Sequence, residues 1–413
     1  MLTRESFLRS HVFLPSMNST DSLFYLRFPR KDCDALLAEG ISDSYVVPAG
    51  STVDWDKLNT WINASREWIF GWVGYEVRRS IERFYQEDLE PSDFPQLVLF
   101  RPSNVFKIRG KEVEVIKGEW QPSLDEWLNL NADEDASIIQ LVPAISADEY
   151  NVHFAKVQQQ ISYGNVYELN YCIPFRAQAE IKNAASVWKR IYRQTEAPFS
   201  TYARWGNYHV MCASPERYLK REGNRVISQP IKGTMRRGQT QQEDDQLRHE
   251  LSTSRKERAE NVMIVDLVRN DLSRCAKRDS VEVEELFGVH SFKTVHHLIS
   301  TIRCDVPADT GWVDLIRTTF PMGSMTGAPK YSAMKLIAEH EKTERGLYSG
   351  SIGYIEPNGD FDFNVVIRSA QYDENRGEIS CHVGGAITSL CNAADEYSEC
   401  LLKAEAILRA LRG

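Results

Sequence analysis

Between residues 200 and 229 the chain alternates four short apolar runs with turn residues: Ser200–Arg204, Tyr208–Ala213, Arg217–Arg221 and Arg225–Gln229. Gly206-Asn207 and Gly223-Asn224 are dipeptides that close tight hairpins. Connections this short join antiparallel neighbours, because parallel strands need a long crossover. A chain built on such a meander is bound to an antiparallel sheet.

Helical segments flank the strands. Ser146-Ala147-Asp148-Glu149 supplies a cap and early acids for a helix running to about Tyr163 and stopping at Gly164. A strand, Val166–Ala179, and a helix, Asn183–Gln194, precede the meander. After it come helices at 242–251 and 256–272, strands around 281–287 and 293–304, and a helix at 313–319. A helix opening at Pro329 extends to about Lys342. Strands at 350–356, 361–372 and 378–389 lead to a final helix, Ala393–Leu411. Before residue 140, Phe24–Phe28 and Ile69–Val77 read as strands and Asp54–Trp68 as a helix. Val105–Arg109 and Glu112–Lys117 form a hairpin. Residues 118–136 are polar and linker-like. The pattern is an α+β layout with antiparallel sheets and helices outside, divided near 140 into segments 1–140 and 141–413.

Composition narrows the function classes. A net charge of −9 argues against a general nucleic-acid binder. Eight cysteines are scattered with no C-x-x-C pair, which fits reduced thiols in the cytoplasm. The first thirty residues hold four arginines and no signal-like apolar block. No run approaches the ~20 apolar residues of a membrane span.

The meander delivers Ser228-Gln229-Pro230-Ile231-Lys232-Gly233-Thr234-Met235-Arg236-Arg237-Gly238. A lysine beside Arg236 and Arg237 sheds its proton more easily, as an amine nucleophile must. The same segment also reads as a surface turn with three solvated cations. Two helices carry E-x-x-E pairs, Glu257/Glu260 and Glu396/Glu399, each pair on one helix face. Such pairs suit a hard divalent cation, or simply a solvated surface.

Read together, the motifs resemble the chorismate-utilising enzyme family. They are Gly164-x-x-Tyr167-x-x-Asn170, Ser214-Pro215-Glu216-Arg217, Pro230–Thr234, Lys256–Asn261 through Val265–Leu272, Val295–Leu298 and Phe320-Pro321 with Thr326–Lys330. Arg345-Gly346 through Tyr354, Ile367–Ala370, Gly384–Ala386 and Glu396-x-x-Glu399 complete the order. The match covers about 150–405, and the first 140 residues resemble the family loosely.

The resemblance implies two large antiparallel sheets packed as a sandwich with helices outside. It implies Mg²⁺ on Glu260 and Glu399, with Glu257 and Glu396 reaching it through water. Glu216 resembles the acid that protonates the departing C4 hydroxyl, which at neutral pH needs a raised pKa. Thr234, His297, Thr326, Gly327, Ala328, Tyr348, Arg368, Gly384 and Gly385 resemble the substrate pocket, with Arg368 the bidentate partner of the enolpyruvyl carboxylate.

Two positions set the branch. Water-adding members carry a lysine where this chain has Glu168, and ammonia-using members usually carry glutamine there. At 232 the anthranilate synthases have alanine, and the aminodeoxychorismate synthases a lysine proposed to add to C2 of chorismate. Lys232 therefore resembles the second class, which forms 4-amino-4-deoxychorismate for p-aminobenzoate and folate. Anthranilate synthase component I is the alternative, and a non-catalytic chorismate-binding regulator a more distant one. No cysteine has the glycine-flanked setting of a glutaminase nucleophile. The chain is thus expected to take ammonia, with a separate glutamine amidotransferase subunit as its source.

Overall fold

A computed structural model describes residues 22–82, 89–120, 127, 129–132 and 139–412. The chain's start through residue 21 and most of the polar stretch 118–136 lie outside the described residues. No helix among those described is long and apolar enough to cross a membrane.

Backbone hydrogen bonding runs through the described strands as one continuous antiparallel order. It starts at Glu168–Gln178 and passes through Glu378–Thr388, Ser369–Asp373, Tyr208–Ser214, Phe199–Trp205 and Ser22–Arg27. The two 13-residue strands Ala35–Val47 and Leu97–Arg109 then carry it onward. It continues through Ile69–Val73, Ser351–Ile355, Phe361–Asn364, Arg217–Glu222 and Arg225–Gln229. It ends on Val295–Asp305, which pairs with Ile231–Arg236 and Glu282–Ser291.

Side-chain alternation folds this order into two layers. In Ser22–Arg27, Phe24 and Leu26 face one buried layer and Tyr25 another. In Ile69–Val73, Phe70 and Trp72 join Phe24's layer, while Ile69 and Val73 face the opposite way. Strands with a period of two and no polar face must be covered on both sides. The shared layer between the sheets is aromatic: Phe24 lies 5.6 Å from Trp72 and 5.0 Å from Phe100, centroid to centroid. A bulge interrupts the register of the long strand between Ile41 and Asp43.

Helices cover the outer faces. Ala147–Ser162, Ala184–Thr195, Lys330–His340 and Ala393–Arg412 pack on one sheet through residues such as Phe154, Trp188, Ile337 and Ile407. Arg255–Ser273 and Trp312–Thr319 pack on the other through Ile264, Val268 and Ile316. The expected α+β sandwich is the fold observed. The first 140 residues are woven into it, since Ser22–Arg27 and Ile69–Val73 each pair with strands from beyond residue 190. One expected helix is shorter: Trp55–Asn63 ends at its Ala64 cap, and Trp68 is buried in the aromatic layer instead.

A buried arginine locks the segments around one end of the sandwich. The Arg345 guanidinium donates twice to Glu341 (2.9 and 2.7 Å), to the carbonyls of Met325 and Asn170 (2.8 and 3.0 Å) and to Ser349 Oγ (3.1 Å). Its backbone N–H donates to Glu76, and the Cys172 N–H donates to Glu341. Removing one partner of such a buried pair leaves an uncompensated charge. Glu341→Gln is expected to destabilise the fold by about 3–5 kcal/mol, read as a lower urea midpoint. An unchanged midpoint would show that the pair does not hold these segments.

Candidate active site

The two ends of the strand order meet face to face. Glu168 opens the strand at one end, and Lys232 sits in Ile231–Arg236 at the other. The segment at 232 is not a surface turn. It is a strand with a register shift between Ile231 and Thr234, and Gly233 takes φ +89° within it. A side chain there would meet Glu257 Oε2 at 3.0 Å, so glycine serves both the backbone angle and the close approach.

Lys232 Nζ donates to Glu168 Oε1 at 2.5 Å, and the Glu168 side chain is fully buried. The expected depression of the lysine pKa by Arg236 and Arg237 does not occur. Those arginines turn to the following helix, Arg236 to Glu243 and Arg237 to both oxygens of Asp244. Burial works to lower the Lys232 pKa, but the charge and hydrogen bond of Glu168, with Glu260 and Glu216 beyond, outweigh it and leave it raised.

Glu216 is buried, and burial lifts its carboxyl to about 7 against the opposing pull of Ser324, Lys232 and Arg368. Ser324 Oγ donates to Glu216 Oε1 at 2.6 Å. The raised pKa expected of an acid here is present, and burial is its cause. Arg368 takes φ +50°, a conformation unusual for a side-chain-bearing residue. Burial lowers its pKa to about 10. Arg368 donates to His297 Nε2 at 3.3 Å, which leaves the ring proton on Nδ1 to donate to Thr234 Oγ1 at 2.9 Å. Burial, then Arg368, holds His297 down to about 3, so the imidazole is neutral. Tyr348 is buried and stacks on His382 with centroids 5.5 Å apart.

Thr326–Pro329 lies against the Glu168 strand. Its Gly327-Ala328 pair with Leu169 and Glu168, and a side chain at Gly327 would strike the Glu168 carbonyl at 2.1 Å. The Thr326 hydroxyl turns back onto the Met322 and Gly323 carbonyls. Gly384 and Gly385 face Cys172 and Tyr171 across the ladder, and a side chain at 385 would meet Glu396 Oε2 at 2.8 Å.

Glu257 and Glu396 sit in the first turns of their helices, where the backbone dipole favours anions, and Glu260 and Glu399 follow one turn further on. Their carboxylates feel one another. Burial raises the Glu257 pKa with help from Glu399, and burial raises Glu260 to about 7 with help from Glu257. Lysines balance part of this charge, Lys256 lying 3.9 Å from Glu260 and Lys403 2.7 Å from Glu399. Among the described residues no three donors converge into a ready-made cation cage. The donor set is all carboxylate oxygen, which fits a hard cation that keeps its waters.

Two contacts were beyond sequence reasoning. The Ser324–Glu216 hydrogen bond spans 108 residues and the Lys232–Glu168 pair spans 64. Ser324 lies between Phe320-Pro321 and Thr326–Lys330, and nothing local in the sequence shows where its hydroxyl points.

Comparison with known proteins agrees with this layout. The family described as chorismate binding enzyme matches residues 47–409. The chain is 33% identical over 347 residues to aminodeoxychorismate synthase component 1 of Klebsiella aerogenes, covering 83% of this chain and 76% of that protein. It is 40% identical over 264 residues to the probable chloroplastic aminodeoxychorismate synthase of Oryza sativa subsp. japonica, covering 63% of this chain and only 29% of that longer protein. The crystal structure of anthranilate synthase component I from Streptococcus pneumoniae superposes with a TM-score of 0.75 at 24% identity, covering 97% of this chain and 95% of that one. The chain belongs to the chorismate binding enzyme family.

Proposed function

We propose that this chain converts chorismate and ammonia to 4-amino-4-deoxychorismate, as an aminodeoxychorismate synthase component 1 feeding p-aminobenzoate and folate synthesis. The observation that carries the reading is a buried lysine and a buried acid close enough to act on one another's charge. Lys232 and Glu216 each influence the other's ionisation, and Glu216 holds its proton near neutral pH. Binding alone needs neither group, which weighs against a regulator. An enzyme of the anthranilate class lacks the lysine.

In this reading Lys232 adds to C2, and Glu216 protonates the C4 hydroxyl as it leaves. Arg368 receives the enolpyruvyl carboxylate, and neutral His297 fixes both Arg368 and Thr234. Tyr348 and the backbone of Thr326–Ala328 and Gly384-Gly385 shape the remaining walls. Glu260 and Glu399 would hold Mg²⁺, with Glu257 and Glu396 reaching it through water. Bound there, the ion would supply positive charge for a substrate carboxylate. The mutual repulsion of Glu257, Glu260 and Glu399 supports a cation there.

The nitrogen is proposed to come from a separate glutaminase subunit. Cys172, Cys212 and Cys381 are buried, and burial pushes the thiols of Cys212 and Cys381 up to about 12, which argues against these two as nucleophiles. All eight thiols are free, which supports a reducing, cytoplasmic setting.

Lys232→Arg keeps the charge but gives a cation that cannot be deprotonated in a protein. It is expected to be nearly inactive with unchanged thermal stability; retention of most activity would reduce Lys232 to an electrostatic contact. Glu260→Gln and Glu399→Gln are each expected to abolish turnover and to weaken Mg²⁺ binding by calorimetry while the fold persists. Near-full activity with unchanged metal affinity would remove those residues from the ligand set.

A further inference from the structure

We propose that Glu168 is the base of the reaction, taking the proton from Lys232 as the lysine attacks and returning it when the lysine is released. This deepens the reading of Lys232 as nucleophile and rests on it.

The geometry carries the assignment. Glu168 Oε1 lies 2.5 Å from Lys232 Nζ, and Glu168 Oε2 is buried with no hydrogen-bond partner in the structure. The Glu168 backbone is held on both sides. Thr388 pairs with it across one ladder and Ala328 across the other. Several other charged groups surround the lysine. Glu216, with its oxygen on Ser324, lies near enough to act on the lysine's charge, and Glu257, Glu260 and Glu399 stand on two helices. Lys256 neighbours those glutamates, and Arg368 neighbours Glu216. None of these groups is hydrogen-bonded to Lys232. Among the described residues only Glu168 is placed to receive its proton directly.

Burial penalises both charges of an ion pair, so excluding water narrows the gap to the neutral pair. A substrate that excludes water from Lys232 and Glu168 therefore favours proton transfer between them. The steps balance. Lys232 gives a proton to Glu168, and its lone pair forms the bond to C2. The double-bond electrons shift and the C4–O bond breaks, the oxygen leaving as water with the proton of Glu216. Ammonium then gives a proton to ionised Glu216, and the resulting ammonia bonds to C4. The electrons shift back, the Lys232–C2 bond breaks, and the freed amine recovers its proton from Glu168. Chorismate and ammonium have become the aminated product and water, and every side chain is restored. A glutamine at 168 could hold the lysine but could not take its proton.

The test uses the full chain with chorismate and Mg²⁺ and no ammonium, following the covalent adduct on Lys232 by intact mass and peptide mapping. Glu168→Gln is expected to stay folded with a lowered melting temperature, since one partner of a buried pair is lost, and to form the adduct on the order of 100-fold more slowly at pH 7. Its rate should climb toward that of the unaltered protein between pH 7 and 9, as solvent strips the lysine proton instead. Adduct formation by Glu168→Gln at the unaltered rate at pH 7 would overturn the assignment. So would a loss of equal size at every pH, which would make Glu168 a positioning residue only. If the unaltered chain forms no adduct at any pH, the nucleophile reading itself falls and the base falls with it.

Discussion

The architecture depends on burying both faces of nearly every central strand. Strands such as Ile69–Val73 and Leu97–Arg109 leave no side for water along most of their length, so the sheet must fold over on itself and take helices outside. That doubling brings the first and last strands of the hydrogen-bonded order together. The site is built at this junction, where Glu168 from one end meets Lys232 from the other. Neither sheet alone holds an active site.

Precision at the junction comes from close backbone approach. Gly327 lets the 326–329 loop lie against Glu168, Gly385 makes room for Glu396, and Gly233 makes room for Glu257. The Arg345 guanidinium then ties the residue before that loop, the Glu168 strand and the 341–349 turn together through the Met325 and Asn170 carbonyls and the Glu341 carboxylate. A buried arginine with several fixed acceptors suits this task, since its planar fork offers five donors in set directions.

Much of this was legible in the sequence. The hairpin dipeptides fixed the antiparallel class, and the ordered motifs pointed to the family and its sandwich. Glu216 was expected to be an acid with a raised pKa, and burial provides it. The N-terminal third was less legible, because its strands borrow partners from beyond residue 190 and carry few motifs of their own. The pKa of Lys232 was misread for a related reason. Arg236 and Arg237 are near in the chain, yet their guanidiniums are bound to Glu243 and Asp244, while Glu168 lies 64 residues away and close in space. Local charge patterns report on electrostatics only where side chains stay local. The consequence is chemical as well as structural, for a lysine held as its ammonium needs a base at hand before it can attack.

The central claim is that this junction aminates chorismate at C4 with ammonia supplied from outside the chain. The most direct test is to give the purified chain chorismate and Mg²⁺ with either ammonium at alkaline pH or glutamine, and to identify the product. The account predicts 4-amino-4-deoxychorismate from ammonium, and none from glutamine until a glutaminase is added. Anthranilate with released pyruvate, or product from glutamine by the chain alone, would contradict it.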